Sequence, residues 1–586
     1  MMAVGVGDDT LMLMVSILIG TATGIFAHVF FFLIEIARQF AYGEGSFGGL
    51  YGGRTWMLVV LPTIGGLAVG YITRYFAREA KGHGVPEVMD ALYRQGGEIR
   101  PRVATAKAVA SAFTIGSGGS AGTEGPIIQI GAAIASAIGQ VLHIRRRQRG
   151  IIVACGVSAG IAAIFNAPIA GVLFALEIFL KDFSFRTFSP VVFSSVIGCS
   201  VIHVLRGEDV AIFEVQALRS GAYEFIPVEL PLFLILGVLC ALAAVAFIRS
   251  LYYTEDVADL IRLPEPLKPA LGAACLGLLG VAYAIGTNAV EMPAFFGNGY
   301  PAIQAILGPE LLRMTVRGLT LLFLLKLAAT CLTLGSGGSG GVFAPSLLLG
   351  AALGGAFGLA LVKLDIIYPT SAPAYALVGS AAMVAGTTHA PLTAIVILYE
   401  ITRAPVVILP VMFAAIIATS GAQLLLRDSI YTLKLRRRGV RVGSVTDLTI
   451  LRRITVDDVD RMTAHFVNPE DPLQRVINLA GETGASDFVV VDEQGVYQGL
   501  LTGHDVHIAL LQPEAVLLLV VGELVRSGVP TISPDETLDV VLDRFARNDV
   551  ESLPVASQED PSRVEGLITR RAVMRRYQEE LDHQTR

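Results

Sequence analysis

Gly116-Ser117-Gly118-Gly119-Ser120-Ala121-Gly122-Thr123-Glu124-Gly125-Pro126 decides how this chain reads, because it sets an ionisable residue inside a long apolar region and then opens a helix. The stretch recurs. Gly335-Ser336-Gly337-Gly338-Ser339-Gly340-Gly341-Val342-Phe343-Ala344-Pro345 stands 219 residues on, counted from Gly116 to Gly335, and the residues that follow keep the register, Gly131 with Gly350 and Gly139 with Gly358. A second pair lengthens the repeat: Gly156 to Ile178 (GVSAGIAAIFNAPIAGVLFALEI) matches Gly379 to Ile401 (GSAAMVAGTTHAPLTAIVILYEI) at an offset of 223, counted from Pro168 to Pro391. Duplicated halves with Gly-interrupted apolar segments in corresponding positions point to a transporter whose site lies where the repeats meet, near the bilayer midplane. The match alone leaves open whether the halves run parallel or inverted.

Composition agrees with a membrane location. Among 586 residues, 53% are apolar and 16% charged, against roughly 25% charged in soluble domains. The net charge of −6 and the short, scattered basic clusters argue against a nucleic-acid partner. The five cysteines (Cys155, Cys199, Cys240, Cys275, Cys331) fall in apolar stretches without metal-ligand spacing, so they are expected to be small buried residues.

Leu11 to Ile34 is free of charge and long enough to span a hydrocarbon core. It lacks a basic lead and a small-residue cleavage site, so it is expected to be a retained helix. Further charge-poor spans run over Met57 to Thr73, Phe188 to Leu205, Leu230 to Ile248, Pro269 to Val290, Leu327 to Val362, Ile366 to Tyr399 and Ala404 to Leu426. Leu327 to Val362 and Ile366 to Tyr399 are too long for one helix and hold internal Gly and Pro, which predicts several broken helices in each. Lys434, Arg436, Arg437 and Arg438 follow the last apolar span and place that end in the cytoplasm. Arg145, Arg146, Arg147 and Arg149 form a second basic cluster, expected on a solvated face.

The glycine-rich stretches lack the Gly-Lys-Ser/Thr of a phosphate-cradling loop. What they share is a turn that delivers the chain to the first turn of a helix, with Pro126 or Pro345 near its start. The first backbone N–H groups of such a helix have no intrahelical partner and carry the positive end of the helix dipole. Two such ends aimed inward make an anion site without a full positive charge, so an ion can be held and still leave.

A third turn, Lys81-Gly82-His83-Gly84-Val85-Pro86-Glu87-Val88, precedes a short helix expected at Pro86 to Leu92. Gly82-His83-Gly84-Val85-Pro86, Gly122-Thr123-Glu124-Gly125-Pro126, Gly341-Val342-Phe343-Ala344-Pro345 and Ile430-Tyr431 together resemble the CLC family of chloride channels and chloride/proton antiporters. The resemblance implies that Glu124 is the gating glutamate. It further implies that Gly82, His83, Gly125, Val342, Phe343, Ala344 and Tyr431 surround the anion, and that the protein works as a homodimer with one pathway per subunit. A carboxylate beside an anion site can take the anion's place when charged and leave it when protonated.

Two departures from the family pattern bear on mechanism. His83 stands where the family usually has a serine, so an imidazole either faces the pathway and strengthens anion binding at low pH or merely fills the turn. Antiporters of the family carry two adjacent acids after Phe-Asn-Ala-Pro; here Phe165-Asn166-Ala167-Pro168 leads to Glu177 and then Ile178, which cannot carry a proton. Glu400 is the repeat partner of Glu177, which predicts a shared structural task, such as accepting backbone N–H bonds in each half. Ile178 favours an uncoupled or weakly coupled chloride channel, whereas Glu124 and a water chain would permit a chloride/proton antiporter. An intramembrane enzyme using Ser117 or Ser120 is disfavoured, since the motif is duplicated without a duplicated base. A cation transporter would want carboxylates or carbonyl cages rather than helix N-termini.

From about Val440 charges become frequent and short β runs appear, such as Asp487 to Asp492. A polar lead, helix, strand and Gly499-Leu500-Leu501-Thr502-Gly503-His504-Asp505 are echoed by a second set ending in Gly566-Leu567-Ile568-Thr569-Arg570-Arg571, and this resembles a tandem pair of CBS domains. In that family the Thr-x-x-Asp can hold a nucleotide ribose. Thr502 and Asp505 match, while the second copy has Ala572 in place of the Asp, so an adenine nucleotide and a purely structural role are both open.

The expected fold is therefore an all-α polytopic membrane unit of two repeated halves with broken helices, followed by a cytoplasmic α/β CBS pair. The boundaries are 1–435 for the membrane unit (halves about 11–205 and 230–426), 436–455 for a linker, 456–520 for the first CBS copy and 521–580 for the second. A bacterial-type inner or plasma membrane is implied, with chloride or a similar anion, and protons under the antiporter reading, as the transported partners; no metal site or resident cofactor is expected.

Overall fold

Apolar runs interrupted by glycine and proline fold as consecutive short helices rather than as single spans. The computed structural model describes residues 8–43, 55–144, 146–207, 213, 215, 223–287, 292–440, 451, 454–511, 516–557, 560 and 562–585. The side chains of Arg145, Arg146 and Arg147, and most of the expected linker, lie outside the described residues. The chain divides into two compact units, Met1–Val442 and Gly443–Arg586.

The first half of the membrane unit contributes α1 (Asp8–Tyr42), α2 (Met57–Tyr75), α3 (Val85–Arg94), α4 (Arg102–Gly116), α5 (Glu124–Val141), α6 (Arg146–Phe165), α7 (Pro168–Phe174) and α8 (Phe185–Arg206). The second half repeats the series as α9 (Leu230–Leu260), α10 (Lys268–Thr287), α11 (Tyr300–Leu307), α12 (Val316–Gly335), α13 (Phe343–Lys363), α14 (Ala372–Thr388), α15 (Pro391–Thr402) and α16 (Ile408–Leu425), and α17 (Thr432–Arg437) follows. Among the described residues, nine helices are long and apolar enough to cross a membrane.

The two over-long spans break as expected. Leu327 to Val362 divides into α12 and α13 around the Gly-rich turn, and Ile366 to Tyr399 divides into α14 and α15. His389 ends α14 at φ +57, and Asn166, its repeat partner, stands after α6 at φ +49; a proline then opens the next helix at the position where its missing N–H costs nothing. The α-helix opened by Pro168 ends at Phe174 and continues as one π turn over Ala175–Leu180. Helices α4 and α5 escape a search for charge-free spans because Lys107 and Glu124 lie on them, both buried.

Repeat packing is matched in detail. A Cβ built on Gly131 would lie 2.2 Å from the Gly156 carbonyl oxygen, and one on Gly350 would lie 2.3 Å from that of Gly379. Helices α5 and α6 thus approach as α13 and α14 do, through glycines that bring backbones together. Of the cysteines, Cys155, Cys240 and Cys331 are buried as expected, but Cys199 is half-buried and Cys275 exposed.

The C-terminal unit holds β1 (Phe466–Val467), β2 (Phe488–Val491) and β3 (Tyr497–Leu501) in one sheet and β4 (Ser552–Ala556) and β5 (Val564–Thr569) in another. Strand β1 runs parallel to β2, and β2–β3 and β4–β5 are antiparallel. Helices α18 (Leu473–Thr483), α19 (Gly503–Leu510), α20 (Leu538–Asn548) and α21 (Arg570–Thr585) complete it. The two copies exchange edges: Met462 bridges Leu567 of β5, and Arg526 bridges Leu500 of β3.

Candidate anion pathway

Four turns converge. Gly122 N donates to the Gly341 carbonyl at 2.8 Å and Gly341 N returns a bond to Gly122 at 2.6 Å, a reciprocal pair of one repeat position with its own copy. The pattern continues outward: Ser120 N donates to Thr333 Oγ1 at 3.1 Å and Ser339 N to Thr114 Oγ1 at 3.2 Å. Ser120 Oγ pairs with Thr330 at 3.0 Å, and Ser339 Oγ with Ser111 at 2.9 Å. Such mutual contacts define a pseudo-two-fold axis through the Gly-rich turns. The serine hydroxyls are thus engaged in holding the turns together; Ser117 Oγ donates to the Thr114 carbonyl.

Gly82 N donates to the Gly338 carbonyl at 3.0 Å, and Gly340 N to that of Gly82 at 3.2 Å, which brings the His83 loop to the same axis. Gly125 must be glycine here: a Cβ would lie 2.1 Å from the His83 carbonyl oxygen and 3.0 Å from the Gly341 Cα. Tyr431 arrives through the residue before it, since Ile430 N donates to the Thr387 carbonyl at 2.9 Å and the Ile430 carbonyl accepts from Tyr252 Oη at 2.6 Å. The Tyr431 ring stands 6.0 Å from the His83 ring, centroid to centroid, and Phe343 packs on Phe165 at 5.4 Å. All the predicted pathway residues therefore gather in one place, with Val342, Phe343 and Ala344 at the opening turn of α13 and Glu124 and Gly125 at that of α5.

Glu124 is 1% exposed. Its Oε2 would lie 1.9 Å from a Cβ on Gly122 and 2.6 Å from one on Gly341, so the carboxylate folds back over the two glycines. There it faces the N–H groups of Glu124 and Ala344, yet neither oxygen makes a regular hydrogen bond. The carboxylate thus sits among helix N-termini, the kind of place that favours a negative charge. His83 Nε2 lies 3.4 Å from Tyr252 Oη, and Nδ1 is buried without a partner.

The predicted shared task of Glu177 and Glu400 is present in full. Glu177 accepts from Leu392 N at 3.1 Å, Thr393 N at 2.8 Å and Thr393 Oγ1 at 2.6 Å. Glu400 accepts from Ile169 N at 3.1 Å and Ala170 N at 2.7 Å. Each glutamate caps the first turn of the other half's helix, α15 or α7, where anionic groups are favoured. Ile178 is buried beside Glu177.

Sequence reasoning missed two buried lysines. Lys107 Nζ donates to the carbonyls of Ala80 at 3.0 Å and Gly82 at 2.7 Å, and Lys326 Nζ to those of Phe295 at 3.2 Å and Gly297 at 2.9 Å. The signal was available, because Lys107 and Lys326 share the 219-residue offset. They expose a further repeat: Gly297-Asn298-Gly299-Tyr300-Pro301 mirrors Gly82-His83-Gly84-Val85-Pro86, with positive φ at both glycines of each loop. On the α17 side the basic cluster is ion-paired, Lys434 and Arg438 with Glu87 at 3.4 and 3.0 Å, Arg436 with Asp428 at 2.6 Å and Arg437 with Asp256 at 2.7 Å.

A family model for voltage gated chloride channels matches residues 65–423, more than half of the chain. The chain belongs to the CLC family. A CBS-domain model matches residues 521–579. The chain is 32% identical, over 72% of its length and 88% of the relative's, to a protein of Salmonella paratyphi A described as H(+)/Cl(−) exchange transporter ClcA. It is also 32% identical to chloride channel protein CLC-e of Arabidopsis thaliana, over 68% of this chain and 58% of that one. A solved slow cyanobacterial Cl−/H+ antiporter superposes with a TM-score of 0.63 at 25% identity, over 74% of this chain and 99% of the other. This CLC protein is an integral-membrane anion transporter and not an enzyme.

In the C-terminal unit, Thr502 Oγ1 donates to Asp505 Oδ2 at 2.6 Å in a capping box that opens α19. Arg526 grips the same carboxylate with both arms, Nε to Oδ2 at 2.8 Å and Nη2 to Oδ1 at 2.7 Å. Burial opposes ionisation of Asp505, but the Arg526 guanidinium and the Thr502 hydroxyl hold it below the ordinary carboxylate range. The residues expected to meet a ribose are engaged with each other and with Arg526.

Proposed function

We propose that this CLC protein is a chloride pathway gated by Glu124 and uncoupled, or only weakly coupled, to protons. One observation carries the reading: at the end of α7 the acid of the family's antiporters is replaced by buried Ile178, while Glu177 has both oxygens engaged at the start of α15. A proton crossing there would have to move as a bare charge through apolar surroundings, at high cost. The test is a liposome assay with simultaneous chloride and proton readouts. An imposed chloride gradient should move chloride without driving protons uphill; uphill protons, abolished in Glu124→Gln, would make the protein an antiporter. That second reading is favoured by the 32% identity to a protein described as an exchange transporter, and it would route protons inward through water or the polar groups around His83.

We further propose a homodimer with a pathway in each subunit. Ile169 and Leu392, one repeat position in two copies, are 57% and 47% exposed on the short helices α7 and α15, apolar side chains that a second subunit would cover. Cross-linking in membranes that yields only monomers would contradict this. The α17 basic cluster supports a cytoplasmic C-terminus in an inner or plasma membrane. For the CBS pair, the Arg526–Asp505 tie supports a structural role in preference to a nucleotide site.

A further inference from the structure

The loop Gly297-Asn298-Gly299-Tyr300-Pro301 is the second-half copy of the His83 loop and is tied by Lys326 as the first is tied by Lys107. One substitution matters: Val85 in the first loop becomes Tyr300 in the second. The Tyr300 ring is held edge-on by Phe213 at 5.5 Å, and its hydroxyl sits beside the Thr123 hydroxyl and the Glu124 carboxylate. Four oxygens, Tyr300 Oη, Thr123 Oγ1 and both of Glu124, are buried together without a regular hydrogen bond. Buried polar groups are nearly always satisfied, so a cluster of four open ones at a moving carboxylate calls for an explanation.

We infer that Tyr300 is a positioning residue for the gate: its hydroxyl, steadied by Thr123, donates to the Glu124 carboxylate whenever that carboxylate takes the anion's place. This rests on the reading of Glu124 as the gate. Tyr300 can only donate usefully to the charged, closed form, because the protonated carboxyl leaves the seat. The other groups that face Glu124 are Lys326 from α12, which attracts the carboxylate, and Tyr431, which precedes α17; both are unchanged by a substitution at Tyr300. Removing the donor therefore weakens the closed state alone.

The test is the pH profile of chloride efflux from liposomes for wild type, Tyr300→Phe, Glu124→Gln and the double variant. A hydrogen bond to a charged group is worth enough to move a midpoint by about one pH unit. Tyr300→Phe should thus open at higher pH, with its midpoint about one unit up, and should add nothing in the Glu124→Gln background. An unchanged midpoint overturns the inference, and so does an equal change in the double variant, which would place Tyr300 on the anion or the fold. Should Tyr300→Phe fail to assemble, Thr123→Val must shift the midpoint in the same direction. Steep pH dependence surviving in Glu124→Gln would instead sink the gate reading itself.

Discussion

Glu177→Gln separates a structural acid from a proton carrier. The wild-type carboxylate accepts three bonds at the start of α15, from Leu392 N, Thr393 N and Thr393 Oγ1. Glutamine keeps one acceptor oxygen, loses the charge that favours a helix N-terminus, and sets an NH2 group against backbone donors. Charge-assisted bonds are worth about 1.5–3 kcal/mol each and the loss is softened where the site meets solvent, so the substitution should cost about 2–4 kcal/mol. Glu400→Gln, at the mirrored cap on α7, should cost slightly less, because Glu400 accepts two bonds rather than three. The assay pairs thermal unfolding in detergent with the two-ion flux measurement. Both variants should melt earlier with the ratio of proton to chloride flux unchanged. An unaltered melting temperature with an altered proton flux would refute the capping argument and return Glu177 to a proton route.

Glu124→Gln should leave chloride flux largely insensitive to external pH, since the neutral amide cannot compete as a charge for the anion's seat; liposome efflux between acid and neutral pH checks it. His83→Ser should flatten any gain in anion affinity at low pH, because only the protonated imidazole carries charge and donates from both nitrogens; titration of anion binding in both proteins decides it, and identical profiles would reduce His83 to a turn residue. Asp505→Asn should destabilise the C-terminal unit by about 1 kcal/mol near neutral pH by loosening the Arg526 grip. As the Asp505 carboxylate is held below its ordinary range, that contribution is present above about pH 4 and fades as pH falls through the lowered value, so urea unfolding of the full chain should show the two proteins converging in acid.

What the sequence revealed depended on whether the repeat reached the residue. Glu177 and Glu400 were paired by their shared offset, and the pairing alone suggested a common backbone task. The Gly-rich turns were legible for the same reason, and a pathway built from helix N-termini followed. Tyr252 was not legible, because it lies within the long helix α9 and meets His83 and Ile430 only through the fold. The lysines were hidden by the search for charge-free spans, which rejects any segment whose charge is satisfied internally by carbonyls. Edge exchange in the CBS pair rests on single-residue bridges, Met462 with Leu567 and Leu500 with Arg526, and these leave no strand-length pattern to read.

The pseudo-two-fold axis sorts structural residues from functional ones by a physical criterion. A contact that holds two halves together is satisfied equally well by both copies, so its residues can stay alike: Thr114 with Thr333, Lys107 with Lys326, Glu177 with Glu400. Moving an ion from one side to the other needs the opposite, because a pathway that is the same from both ends has no gate that answers to one side. The copies differ at the axis at several positions, among them Thr123 against Val342, Glu124 against Phe343, Gly125 against Ala344, His83 against Asn298 and Val85 against Tyr300. Phe343 packs its ring on Phe165 at the position where its counterpart carries the Glu124 carboxylate. Tyr300 places a hydroxyl beside that carboxylate where Val85 has none, and His83 brings an imidazole ring towards Tyr431 where Asn298 brings an amide to the start of α11. The symmetric residues build two equal frames, and under the proposed reading of Glu124 as the gate the unlike pairs are what sets one frame apart from the other.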